Sequence, residues 1–131
     1  MTEDDLRLLV VDDDDMQLEL LQRGLGREGF VIETSTSVAD ALARVASFAP
    51  DLVLVDVNMP GMSNDDLGGF VKVGGGRARV LLFSAADGSH LRSLAARLGA
   101  DGWLSKGAAF EEIARELKRT HGLGRKTQLQ T

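Results

Sequence analysis

Four consecutive apolar residues, Leu52 to Val55, deliver a single carboxylate, Asp56, to the start of a loop within the stretch Asp51 to Gly61, DLVLVDVNMPG. A run of this length, rich in valine and leucine and bounded by Pro50 before it and Pro60-Gly61 after it, reads as a strand buried on both faces. Such strands belong to parallel sheets covered on both sides. Taken alone, Asp56 reads equally well as a loop aspartate capping the next helix. The rest of the chain decides between the two readings.

The same design recurs. Leu6 to Val11, interrupted only by Arg7, runs into the cluster Asp12, Asp13, Asp14 and Asp15, and Val80 to Phe83 runs into Ser84. Phe30 to Thr34 and Asp101 to Leu104 are shorter strand candidates. Between them lie helical patterns. Asp14 or Asp15 can cap a helix with Leu18, Leu21 and Leu25 on its apolar side and Gly29 at its end. Ser37-Val38-Ala39-Asp40 reads as a capping box opening a helix with Leu42, Val45 and Ala49 on one side. Ser63 to Asp66 starts a third helix carrying Leu67, Phe70 and Val71, in which Gly68 and Gly69 cost about 1 kcal/mol each relative to alanine. The Gly74-Gly75-Gly76 triplet after it is a linker, since no Lys-Ser or Lys-Thr follows to make a phosphate cradle. Asp87 or Ser89 can cap a helix with Leu91, Leu94, Ala95 and Leu98, stopped by Gly99. The last helix carries Phe110, Ile113, Ala114 and Leu117.

Strand and helix thus alternate five times, which predicts an α/β, doubly wound domain around a parallel five-stranded sheet. At 131 residues the chain fits one domain, expected over 1–120, with 121–131 a flexible polar tail or linker stub. The net charge of -5 comes from 20 acidic and 15 basic residues, without a basic run outside the tail, which argues against a nucleic-acid surface. The absence of cysteine excludes disulfides and thiolate metal sites. Thr-Glu-Asp-Asp after Met1 is the reverse of a signal peptide, and no stretch approaches a membrane-spanning length, so a cytoplasmic protein is expected.

In doubly wound sheets ligands collect outside the carboxyl ends of the strands. Asp12, Asp13, Asp56, Ser84 and Lys106 all fall at or just past such ends and are predicted to share one pocket. Each has an ordinary reading as a cap, a turn residue or a solvated lysine; their convergence is what carries information. Three crowded carboxylates repel one another unless a cation joins them. Oxygen donors with no His or Cys nearby point to a hard ion, and a site completed by water and a phosphoryl group suits Mg²⁺. A carboxylate can be the nucleophile toward a phosphoryl group, and Asp56 is the best placed. Lys106 would spread charge on the equatorial oxygens and Ser84 would donate a hydrogen bond to one of them, so that positioning and electrostatics supply the catalysis.

The residues VVDDDD (Val10 to Asp15), LVLVDVNMPGM (Leu52 to Met62), LLFSA (Leu81 to Ala85) and GADGWLSKG (Gly99 to Gly107) resemble the receiver domain of two-component response regulators, in the same order and spacing over roughly Leu6 to Thr120. The resemblance implies a flavodoxin-like (βα)5 fold with strand order 2-1-3-4-5. It implies that Asp56 is the phosphoacceptor, Asp13 a direct Mg²⁺ ligand, Asp12 an acidic partner acting partly through water, and Asn58 a ligand through its backbone carbonyl. Ser84 is implied as the switch hydroxyl, Lys106 as the phosphate-pairing cation, Trp103 as the switch aromatic, and Ala85 as a backbone N–H donor to the phosphoryl group. Gly107 stands where many relatives have proline, and a trans turn is expected there. Ser84 and Trp103 replace the commoner threonine and tyrosine or phenylalanine.

The expected function is a single-domain phosphorylation switch. A histidine kinase or phosphotransfer protein donates to Asp56, and the changed surface of the fourth helix, fifth strand and fifth helix docks a downstream protein or a second copy. The chain then catalyses only its own phosphorylation and dephosphorylation, without nucleic-acid contact or membrane insertion. Two alternatives stand beside it. A pseudo-receiver would keep the fold and act only as a docking module. A haloacid-dehalogenase-type phosphatase also uses an Asp nucleophile with Mg²⁺, but it places that residue on the first strand and its extra carboxylates late in the chain.

Overall fold

The computed structural model describes residues 5–74, 78–85 and 88–130, with side chains described as far as 72, over 78–85 and over 88–122. Five strands alternate with five helices: β1 (Leu6–Val11), α1 (Asp15–Gly26), β2 (Phe30–Ser35), α2 (Val38–Phe48), β3 (Leu52–Asp56), α3 (Asn64–Gly74), β4 (Arg79–Ser84), α4 (Gly88–Leu98), β5 (Gly102–Ser105) and α5 (Phe110–Gln130). All pairings are parallel, in the order β2-β1-β3-β4-β5. This is the doubly wound, flavodoxin-like architecture the alternation predicts.

The uninterrupted apolar runs are explained by the two cores. Successive strand residues point to opposite faces. Leu8, Val10, Leu52, Leu54, Leu81 and Phe83 pack with α1 and α5 on one side. Leu9, Val11, Val53, Val55, Val80 and Leu82 pack with α2, α3 and α4 on the other. A strand covered on both faces has no position left for a polar residue until it emerges at its end.

The caps follow the sequence in most places. The Asp14 carboxylate accepts from the N–H groups of Met16 and Gln17 to start α1, and Ser37 accepts from the Asp40 N–H to start α2. Ser63 and Asp66 exchange backbone-to-side-chain hydrogen bonds at 3.1 Å to start α3. Five details differ from what the sequence predicts. α1 ends at Gly26, and Gly29 instead takes a positive φ of 93° in the turn to β2. In α2 the buried residues are Ala41 and Phe48, with Val38 and Val45 packed beside them, while Leu42 is exposed and Ala49 is a left-handed cap past the helix end. Ser89 lies inside α4 rather than before it, and Asp87, like Gly75 and Gly76, lies outside the described residues. Phe110 is partly exposed at the start of α5, whose core contacts come from Ile113, Ala114 and Leu117. α5 continues as helix past Thr120 to Gln130, where the sequence predicts a flexible polar tail.

The strand order reverses between β1 and β3, the two central neighbours, and this switch point is where a doubly wound sheet opens a crevice. The register pairs Val11 with Val55, so Asp12 and Asp56 emerge level with one another there. One strand over, Asp56 pairs with Phe83, and Ser84 pairs with Ser105 just before Lys106.

Candidate functional site

Asp12, Asp13 and Asp56 meet at the switch point, each offering an oxygen within 4.8 Å of those of the other two. Asp12 and Asp56 are buried and Asp13 is exposed. The depth follows from the strands: Asp56 closes β3 and Asp12 directly follows β1, both inside the layer of apolar residues, whereas Asp13 is one step further out.

Lys106 reaches into this group from the loop after β5. Its Nζ lies 3.0 Å from Asp12 Oδ2 and 3.4 Å from Asp56 Oδ2. It also stands 5.7 Å from the centre of the Phe83 ring, within the range of a cation–π contact. Asp12 Oδ2 is buried and makes no well-directed hydrogen bond, so its contact with Lys106 is a close ion pair. The other carboxylate oxygens are tethered locally: Asp12 Oδ1 accepts from the Asp14 N–H and Asp56 Oδ1 from the Asn58 N–H, each at 3.0 Å.

The electrostatics reflect crowding. Burial pushes the Asp12 carboxyl above the usual aspartate value; the Asp56 charge adds to the rise, against the pull of the Asp14 N–H and Lys106. Burial acts to lower the Lys106 ammonium, but Asp12 and Asp56 together outweigh it and hold the pKa above the usual lysine value. One lysine therefore does not neutralise the three carboxylates. An oxygen-only donor set with a buried carboxylate oxygen short of hydrogen bonds is chemically suited to a hard divalent cation.

Ser84 is fully buried at the end of β4, and its Oγ accepts a hydrogen bond from Asn58 Nδ2 at 2.8 Å. Its carbonyl accepts from the Lys106 N–H at 2.9 Å, joining the β4 and β5 ends. Ala85 follows as an exposed residue. Trp103 is half-buried, packed against the α2–α4 side of the sheet, and its indole lies so close to Gly88 that a Cβ there would stand 3.2 Å from it. No cis peptide bond occurs among the described residues, so the Lys106–Gly107 turn is trans as expected. The structure thus brings Asp12, Asp13, Asp56, Asn58, Ser84 and Lys106 together, with Trp103 one strand away. The Asn58 side chain was not anticipated; its place two residues beyond Asp56 is the only sequence signal for it.

The family model for the response regulator receiver domain matches residues 8–118. A curated relative, the response regulator MprA of Mycobacterium ulcerans, is 34% identical over 125 residues, covering 95% of this chain and 53% of that protein. The chain spans about half the length of the curated relatives it matches. Among solved structures, a CheY-like response regulator receiver domain protein from Methanospirillum hungatei superposes with a TM-score of 0.81 at 22% identity, covering 94% of this chain and 98% of that one. The chemotaxis response regulator CheY4 of Vibrio cholerae does so with a TM-score of 0.76 at 24% identity, covering 88% and 98%. These two likenesses concern the fold.

Proposed function

The chain belongs to the response regulator receiver family, and from that premise we propose that it is a phosphorylation switch with Asp56 as its phosphoacceptor. The observation that carries the reading is the meeting of Asp12, Asp13 and Asp56 within 4.8 Å, with the Lys106 ammonium held against two of them.

Asp12, Asp13, Asp56 and the Asn58 carbonyl would hold Mg²⁺. When bound, the ion offsets the crowding of the carboxylates and the charge on the phosphoryl oxygens. A carboxylate oxygen of Asp56 forms the new bond to phosphorus as the P–N bond of a donor phosphohistidine breaks, its electron pair leaving with the imidazole. Lys106 pairs with the phosphoryl group, the Ser84 hydroxyl donates to it, and the Ala85 N–H joins them. A serine hydroxyl has both an acceptor and a donor capacity, and Ser84 Oγ uses the first toward Asn58 Nδ2. The chain turns over no external substrate and catalyses only its own phosphorylation and dephosphorylation.

Added charge at Asp56 shifts a two-state equilibrium that Ser84 and Trp103 report to α4, β5 and α5. A groove of about 610 Å³ on that face, lined by Arg92, Asp101, Trp103, Glu112, Glu116 and Arg119, suits a protein partner or a second copy. A sensor histidine kinase or phosphotransfer protein is the donor. A cytoplasmic location accords with there being no helix among the described residues long and apolar enough to cross a membrane. The test is incubation with a small-molecule phosphodonor, with Mg²⁺ or with a chelator. One phosphoryl group should be gained by intact mass in Mg²⁺ alone; no gain under several donors would sink the reading. Mg²⁺-dependent quenching of Trp103 separates a working metal site from a docking-only module.

A further inference from the structure

Lys106 sits in the loop that joins β5 to α5. Gly107 follows it, in a conformation that does not need glycine and with only Ser105 Oγ, at 3.7 Å, near the position of a Cβ. The loop is restrained from its ends. Before it, the Lys106 N–H bonds to the Ser84 carbonyl, and the Gly107 and Ala108 N–H groups bond to Ser105. Beyond it lies Phe110, the first residue of α5, four positions past Lys106.

The Phe110 ring rests on α1, over a buried glycine. A Cβ on Gly24 would stand 2.5 Å from ring atoms Cδ2 and Cγ and 2.7 Å from Cε2, closer than any real contact. Gly24 has no positive φ and lies inside a helix, where alanine is otherwise preferred. The glycine is therefore explained by the ring, which would have to shift to admit any larger residue there. We propose that Gly24 and Phe110 form a lock that sets where α5 begins and so holds Lys106 at its place over Asp12 and Asp56. Both are positioning residues that act through Lys106. The inference rests on the reading of Lys106 as the phosphate-pairing cation.

The test is a double-mutant cycle on the full chain: Gly24→Ala and Phe110→Ala, each alone and each with Lys106→Ala. Two quantities are read, the rate of Mg²⁺-dependent phosphorylation by phosphoramidate and the Mg²⁺ affinity from Trp103 fluorescence without any phosphodonor. Either lock variant should slow phosphorylation by roughly ten- to a hundredfold, the scale of a displacement of about 1 Å in a positioning group. Either should also tighten Mg²⁺ binding, because a loosened ammonium competes less for Asp12 and Asp56. In the Lys106→Ala background both effects should vanish. Unchanged rate and affinity in variants with native circular dichroism would overturn the lock, and so would equal effects in both backgrounds. Phe110→Ala, which only removes atoms from a partly exposed ring, carries the cycle if Gly24→Ala does not fold. A wild type that binds Mg²⁺ with the Lys106-dependent shift yet gains no phosphate would strike the phosphorylation reading and leave the lock standing.

Discussion

Replacing Asp12 with asparagine should stabilise the chain when no divalent cation is present and destabilise it, relative to wild type, when Mg²⁺ is abundant. The Asp12 and Asp56 oxygens lie within 4.8 Å of one another, and at an effective dielectric of about 20 their repulsion at that distance is worth about 3.5 kcal/mol; the exposed Asp13 is screened by solvent and adds little. Two attractions oppose that repulsion, the Asp14 N–H on Asp12 Oδ1 at 3.0 Å and Lys106 on Oδ2 at 3.0 Å, the second worth about 5.5 kcal/mol on the same scale. Burial of the charge is the largest effect, several kcal/mol for an ion taken out of water, and with the Asp56 repulsion it leaves the balance against the carboxylate by roughly 1–2 kcal/mol, the direction of the raised Asp12 pKa. Asparagine keeps the shape and removes the charge. In a chelator the variant should melt higher by about 4–8 °C, at about 4 °C per kcal/mol for a domain of this size. Because folded Asp12 binds its proton more tightly than the unfolded chain does, wild-type stability falls as pH rises from 3.8 through the higher folded value. The gap between the proteins should open across that window and stay constant above it. With Mg²⁺ at about 100 times its dissociation constant, the wild type gains about 2.7 kcal/mol and the order reverses. Thermal melts in chelator and in Mg²⁺ decide the matter. A variant less stable than wild type in chelator, or an equal gain from Mg²⁺ in both proteins, would refute the reasoning.

Lys106→Met removes the cation between two buried acids and should cost about 2–3 kcal/mol in urea melts, less than the usual toll for breaking a buried pair because the side chain is 23% exposed. That deficit is fully present below pH 10.5 and disappears as pH rises through the higher folded pKa of the lysine. Ser84→Ala should still gain one phosphoryl group by intact mass but lose the Trp103 fluorescence change that accompanies it, while costing about 1 kcal/mol for the lost Asn58 bond. Leu54→Ala, in a strand packed on both faces, should cost about 2–5 kcal/mol in the same melts without altering Mg²⁺ affinity at saturating native fraction.

The strands were legible because burial on both faces leaves a continuous apolar run, and β1, β3 and β4 each end where the first polar residue escapes the two cores. The same logic exposed Asp12, Asp56 and Ser84 as strand-end residues. Sheet order is not a local property; it came with the family resemblance and agrees with the structure. The phase of α2 was read one position off, because Ala41 and Leu42 are both apolar and only packing against the sheet selects the smaller. The environments of Asn58 and Phe110 were illegible for a different reason. Each is set by a residue distant in sequence, Ser84 for one and Gly24 for the other, and neither pairing leaves a periodic trace.

The most direct test of the central claim compares wild type with Asp56→Asn after incubation with a phosphodonor and Mg²⁺. Intact mass should show one phosphoryl group on the wild type and none on the variant, with both chains folded alike. A phosphorylated Asp56→Asn chain, or a wild type that stays unmodified while binding Mg²⁺, would contradict it.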